Sequence, residues 1–215
     1  MQHTQTEDVI GKLRSLGSAT VYEAQGAKGA FDSGIKPIAP TMHLAGRALT
    51  IDMRPADNLM LHYAMLKARP GDVLVVDAKG FLEAGPWGDV FTEQALATGL
   101  AGLVIDGAVR DSQTIIDMNF PVFCRGLSIK GTGKNQPGEI NVPITIAGVT
   151  VHPGDIIVGD RDGLVVVAAH EVEAVLKLAQ EREQKEIEYR EKIRQGATTA
   201  RLLGLEEKLK QLQLD

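Results

Sequence analysis

The sequence predicts an α/β fold, and three observations carry the prediction. The first is a strand, turn, helix, strand unit at mid-chain. Pro70-Gly71-Asp72 opens the apolar run Val73-Leu74-Val75-Val76-Asp77, Leu103-Val104-Ile105 is a second such run, and the helix formers Thr92 to Thr98 lie between them and stop at Gly99. Short β-branched runs with Pro/Gly boundaries read as buried strands, and a run of helix formers ending at glycine reads as a helix. The second is a group of later apolar runs, Thr145 to Val151, Ile156 to Val158 and Leu164 to Val167, separated by the turn signals Pro153-Gly154 and Asp162-Gly163. The third is a long helix from about Glu171 to Arg194, in which Val172, Val175, Leu176 and Leu178-Ala179 give way to Glu, Lys and Arg.

The remaining elements follow in order. Helices are predicted near residues 7–15, with Val9, Ile10 and Leu13 on one face, and 18–26. A strand follows around Ala45 to Met53 and a helix from about Asp57 to Ala68. After the central unit come a helix near 112–118 and a strand at Val122 to Cys124, and Gly126 to Pro143 reads as a long loop.

At 215 residues, 44% hydrophobic and 24% charged, the chain can bury one sizeable core, as a soluble enzyme of one domain does. A net charge of −5 without a basic block argues against nucleic acid as a partner. The single cysteine, Cys124, permits no intrachain disulfide and points to the cytoplasm; it reads as a buried small hydrophobe. No apolar run approaches the ~20 residues of a membrane helix, and the polar Gln2 to Asp8 does not read as a signal peptide.

The charged residues at the ends of the central unit are the candidate site. Asp89 stands at the strand-to-helix turn, and the pair Arg110-Asp111 follows the second strand, where loops meet buried elements and sites are usually built. Taken singly, Asp89 and Asp111 fit helix N-caps, and Arg110 fits a surface ion pair. The segment Gly85-Pro86-Trp87-Gly88 shifts the balance. Glycines let backbone amides approach a ligand, and a helix N-terminus favours an anion, so a substrate carboxylate would dock at Gly88 on the amides of Asp89, Val90 and Phe91.

The order of these residues resembles the class II pyruvate aldolases that cleave 4-hydroxy-4-methyl-2-oxoglutarate and 4-carboxy-4-hydroxy-2-oxoadipate, and the related RraA-like proteins. The resemblance runs through Pro70 to Asp77, Trp87-Gly88-Asp89, Gly102 to Asp111, Phe120 to Phe123 and Pro153 to Gly163, and the Asp-x20-Arg-Asp spacing is that family's metal-site signature. It implies a three-layer β/β/α fold of the swivelling-domain kind, over residues 1–180, and a homo-oligomer, trimer or hexamer. Residues 181–215 would form a helical arm that packs its leucines on a neighbouring subunit.

The implied chemistry is cleavage of a 2-oxo diacid to pyruvate, through a pyruvate enolate whose charge needs fixed stabilisation. Asp111 would be the direct ligand of a divalent metal, and Asp89 would hold metal-bound water. Carboxylate and water ligands suit Mg²⁺ or Mn²⁺ better than zinc. Arg110 would lay its planar fork on the keto and enolate oxygen. Glu23 would orient water or a base near the site, against a reading as a surface glutamate; Glu186 would approach the site of the adjacent chain; and Lys134 would meet the second carboxylate. Oxaloacetate decarboxylation would be a side activity.

Two rivals stand beside this reading: a protein-binding regulator that inhibits a ribonuclease, and an oxaloacetate decarboxylase only. Other chemistries find no motif. The five histidines show no metal spacing, His152 reads as a turn residue before Pro153, and there is neither a Gly-x-Ser-x-Gly elbow nor a glycine-rich cofactor loop that would suit a methyltransferase.

Overall fold

In the computed structural model, which describes residues 2–214 with side chains from Glu7 onward, the central unit forms the middle of one sheet. Helices α1 (Gln2–Leu16) and α2 (Ser18–Ala24) precede β1 (Lys36–Pro37), β2 (Leu44–Asp52), α3 (Leu59–Met65) and β3 (Asp72–Phe81). Then come α4 (Asp89–Thr98), β4 (Gly102–Val109), α5 (Ser112–Asp117) and β5 (Val122–Leu127). Strands β2, β3, β4 and β5 run parallel, in register from Ala48↔Val73 and Val75↔Val104 to Val104↔Phe123. Every residue of β4 is buried, as a strand packed on both faces requires.

The second half of the chain continues the sheet. β6 (Glu139–Ile140) pairs with the end of β2, while β9 (Ile156–Gly159) pairs antiparallel with its start and β10 (Leu164–Val167) pairs antiparallel with β9. The order is β1-β5-β4-β3-β2-β9-β10. Residues 145–151, expected as one strand run, are two: β7 (Ile144–Ile146) and β8 (Val149–Val151) form a separate hairpin. Ala147 and Gly148 both take positive φ (48° and 81°), the backbone a two-residue hairpin turn needs.

The segment after α2 nearly closes the sheet. Ala30 bridges Val165 of β10, the Phe31 amide donates to Leu164 O at 3.1 Å, and six residues on β1 pairs antiparallel with β5. Arg125 of β5 locks this seam. Its guanidinium forks onto Asp32 at 2.9 and 2.6 Å, and its Nε bonds to Asp106 of β4. The enclosed face packs Val75, Val104, Phe123 and Ile157 with Ile146 and Val151 of the hairpin, so sheet, hairpin and outer helices supply the β/β/α layers. The outer face of β3 and β4 packs Leu74, Val76, Leu103 and Ile105 against α3, α4 and α5, among them Leu61, Phe91 and Ile115.

Helix α6 (Val172–Arg194) packs with α1 and α2 over β9 and β10 through Val172, Val175, Leu176 and Ala179. After Ala179 burial ends: neither α7 (Thr199–Leu202) nor α8 (Glu206–Gln211) has a buried residue, and Leu203, Leu212 and Leu214 stand exposed.

Replacing Arg125 with Met should leave Asp106, 9% exposed, without its cation and open the seam. The expected loss is about 2 kcal/mol, or roughly 4–8 °C in Tm for a chain of this size. Thermal unfolding followed by circular dichroism measures it, and an unchanged Tm would remove Arg125 as the lock.

Candidate functional site

The candidate site lies where β4 ends, at the carboxyl ends of parallel strands, the edge where open α/β sheets bind ligands. Residues 84–88 are all buried there, and the loop is sewn down on both sides. The Gly85 amide donates to Lys130 O and the Arg110 amide to Trp87 O, both at 2.9 Å. Trp87 is fully buried, donates Nε1 to Thr92 Oγ1 at 2.9 Å, and stacks on Phe91 with ring centres 5.0 Å apart. It anchors the loop in the core.

Two glycines set how closely this loop meets the Arg110-Asp111 turn. A Cβ on Gly85 would overlap Ser128 O and stand 3.0 Å from Arg110 Cβ. One on Gly88 would overlap Asp111 Oδ2 and stand 3.2 Å from Arg110 Cγ and Nε. Gly88 has an extended backbone, φ −151°, so the demand there is for space alone.

Asp111 occupies the N-cap position of α5, yet its side chain makes no capping bond there. Its φ of 56° turns the residue toward α4 instead, and Oδ2 accepts from the Asp89 amide at 3.4 Å, a long contact, with Arg110 Nε also 3.4 Å away. Capping therefore does not account for this aspartate. A left-handed conformation at a non-glycine residue is uncommon and clusters at functional sites.

The three amides expected to receive a substrate carboxylate are not all free. The Val90 amide donates to the Asp89 side chain at 2.7 Å and the Asp89 amide to Asp111, because the positive end of α4 draws the nearest carboxylates onto itself. A substrate carboxylate would displace them. Arg110 and Asp111 are 46% and 37% exposed, open enough to be reached.

Lys134 comes to the same end of the sheet through a buried anchor that sequence reading missed. Asp57, 2% exposed, accepts from the amides of Leu59, Asn135 and Gln136, at 3.0, 2.7 and 3.2 Å. Beside it the Asn58 amide donates to Gly133 O and Asn58 Nδ2 to Pro86 O, tying the lysine loop to the glycine loop. Burial pushes the Asp57 carboxyl up, but the three amides and the nearby Lys134 ammonium outweigh it and hold it below its ordinary value. His62 packs its ring 4.6 Å from Phe91, and burial and Lys134 hold its pKa down. The sequence signal was Asp57-Asn58 ahead of a helical run, which reads as a helix start.

Glu23 and Glu186 lie elsewhere in the chain. Glu23 is on α2, whose neighbours are α1, α6, β9 and β10. Among the described residues it pairs with Arg182 and with neither Arg110 nor Asp111. Arg182 also reaches Glu186, so the two glutamates stand together on α2 and α6, apart from the Arg110-Asp111 turn. Cys124 is buried and its thiol is pushed up to about 11 by that burial, which suits the packing role and excludes a thiolate nucleophile at neutral pH. His152 is exposed in the turn before Pro153, 3.6 Å from Asp155.

Residues 18–166 match the profile of the RraA-like family, Aldolase/RraA. A Halalkalibacterium halodurans protein provisionally named 4-hydroxy-4-methyl-2-oxoglutarate aldolase is 40% identical over 176 residues, 82% of this chain and 84% of that protein. An uncharacterised Pseudomonas syringae protein of known structure superposes with a TM-score of 0.83 at 32% identity, over 93% of this chain and 94% of its own. Streptomyces coelicolor RraAS2, described as an unusual member of the RNase ES inhibitor RraA family, superposes at 0.74 with 28% identity, over 85% of this chain and 96% of its own.

Gly88→Ala should fold normally and displace the Asp111 carboxylate from the α4 N-terminus; a crystal structure of the variant with Asp111 unmoved would refute the close-approach argument. A second expectation concerns acid. Because the Asp57 carboxyl is depressed in the folded chain, its contribution is complete above the ordinary carboxylate value of about 4 and is lost as pH falls through the lower folded value. The Asn135 and Gln136 amides should then exchange faster with solvent, read by amide hydrogen exchange, and Asp57→Asn should abolish that pH dependence.

Proposed function

The chain belongs to the RraA-like family, and from that premise we propose that it is a divalent-metal-dependent aldolase that cleaves a 4-hydroxy-4-substituted 2-oxo diacid and releases pyruvate. The observation that carries the reading is the Asp111 carboxylate, freed from capping and turned beside Arg110 toward a helix N-terminus that attracts carboxylates.

The residues at this turn suit a hard cation. Asp111 would hold it directly and Asp89 through water; among the described residues no cluster of three or more His, Cys, Asp or Glu could hold a metal. That leaves coordination to water and substrate oxygens, as Mg²⁺ or Mn²⁺ accepts. The ion would act as a Lewis acid on the oxygen where charge develops.

The chain's own groups supply the rest. The N-terminus of α4 receives the carboxylate next to the keto group. A base takes the proton of the C4 hydroxyl, the C3–C4 bond breaks, and its electron pair moves into the pyruvate enolate, whose oxygen faces the Arg110 guanidinium. Protonation at C3 then gives pyruvate. Lys134, held at the same end of the sheet by the Asp57 anchor, meets the distal carboxylate. Oxaloacetate decarboxylation passes through the same enolate without the C4 proton transfer.

Glu23 and Glu186 enter this scheme from another copy of the chain. They stand together at the start of an arm with exposed leucines, and the Arg110-Asp111 turn of their own chain is not their neighbour. A homo-oligomer, trimer or hexamer, would bring the pair to an adjacent site.

A coupled assay should detect pyruvate release from the methyl- or carboxymethyl-substituted diacid, lost with EDTA and restored by Mg²⁺ or Mn²⁺. Full activity after exhaustive chelation would overturn the metal. Asp111→Asn removes no capping bond from α5 and tolerates the left-handed backbone, and Arg110→Lys keeps its charge, so both should fold; each should lose roughly 10²-fold or more in rate, the scale for a preorganised electrostatic group. Mixing Asp111→Asn with Glu186→Gln under subunit exchange should restore activity, because mixed oligomers contain sites with both native residues. No recovery, with exchange confirmed by mass, would place Glu186 outside a neighbour's site. The second reading, a ribonuclease inhibitor, draws on the RraAS2 likeness; it predicts no pyruvate release from any diacid and inhibition of a ribonuclease by the purified chain.

A further inference from the structure

We infer that Arg182 is a positioning residue that holds Glu23 and Glu186 as one two-carboxylate unit for aldol cleavage, an inference that rests on the aldolase reading above. Its Nη1 stands 3.8 Å from Glu23 Oε2 and its Nε 3.2 Å from Glu186 Oε1. Arg190 Nη2 takes the other Glu186 oxygen at 2.9 Å. The two glutamates come from α2 and α6, far apart in sequence, and this guanidinium lies between them.

Helix stability does not explain the arrangement. An acid four residues before a base supports a helix better than the reverse order, and Arg182 precedes Glu186. Among the described residues, the pairs of Lys177 and Arg190 stay within α6, whereas Arg182 bridges to α2. Exposed pairs of this kind contribute little to folding. Arg182 is 42% exposed, beside glutamates at 50% and 33%.

Charge supplies the reason. Two carboxylates held side by side without a cation repel each other, more strongly as water leaves. Arg182 and Arg190 offset that repulsion, and the planar fork of Arg182 spans both glutamates at once, which a lysine ammonium would not hold in one geometry. The role belongs to the proton transfer at the C4 hydroxyl, so decarboxylation is indifferent to it.

The test compares wild type, Arg182→Gln, Arg182→Lys and the exposed control Lys177→Gln, each with Mg²⁺, on the diacid and on oxaloacetate. Arg182→Gln should lower kcat for diacid cleavage about 10-fold or more, the scale for losing an outer-shell partner, with KM for oxaloacetate, its decarboxylation rate, oligomer mass and Tm unchanged. Arg182→Lys should recover part of the loss, and Lys177→Gln should match wild type. Arg182→Gln combined with Glu186→Gln should be no slower than Glu186→Gln alone, because both act through one unit. Wild-type cleavage by Arg182→Gln, a parallel loss of cleavage and decarboxylation, or additive losses in the double variant would each overturn the inference. If wild type cleaves no diacid, the aldolase reading itself has failed and this role goes with it.

Discussion

The site depends on the absence of two Cβ atoms. Gly85 and Gly88 let a buried loop lie against the backbone of Ser128 and the side chains of Arg110 and Asp111, at distances no other residue permits. That contact brings the N-terminus of α4 to the turn after β4, which lets an aspartate in the capping position of one helix serve the N-terminus of another. Trp87 makes the arrangement rigid from beneath: it is fully buried and hydrogen-bonded to the first turn of the helix it introduces. Helix dipole, guanidinium and carboxylate then share one small region.

The sheet below imposes a charge pattern of its own. In β2, β3, β4 and β5 the enclosed face is apolar up to Thr50, Val75, Val104 and Phe123, and the next inward position on each strand is Asp52, Asp77, Asp106 and Arg125. Lys79 bridges Asp52 and Asp77 at 2.5 and 2.6 Å, and Arg125 bridges Asp106 and Asp32. The interior therefore ends in a paired ionic layer, close to the same ends of the strands as the candidate site. Buried or half-buried ion pairs do little for net stability, but breaking one is costly, so such a layer favours a single register. It joins the seam to the central strands through Arg125.

Much of this was legible along the chain. The alternation of Pro/Gly boundaries with β-branched runs located β3, β4, β9 and β10, and the apolar-to-charged change along α6 marked where burial stops, at Ala179. Asp89, Arg110 and Asp111 were visible because strand ends and glycines surround them in sequence. The two-residue strand β1 was not, since two residues carry no period, and neither was the hairpin in 144–151, whose turn is an Ala147-Gly148 pair inside an apolar run.

The sequence by itself determined the fold class, the central strand-helix-strand unit and the charged residues at its ends, because local propensity and periodicity are properties of neighbouring residues. Tertiary structure decided which of those charges meet. Asp111 turns from its own helix to α4, Asp57 is spent on the loop that carries Lys134, and Glu23 joins Glu186 through Arg182 away from Arg110. Each depends on a contact between segments remote in sequence, fixed by the closing of the sheet and by the space two glycines leave, and no local pattern encodes that.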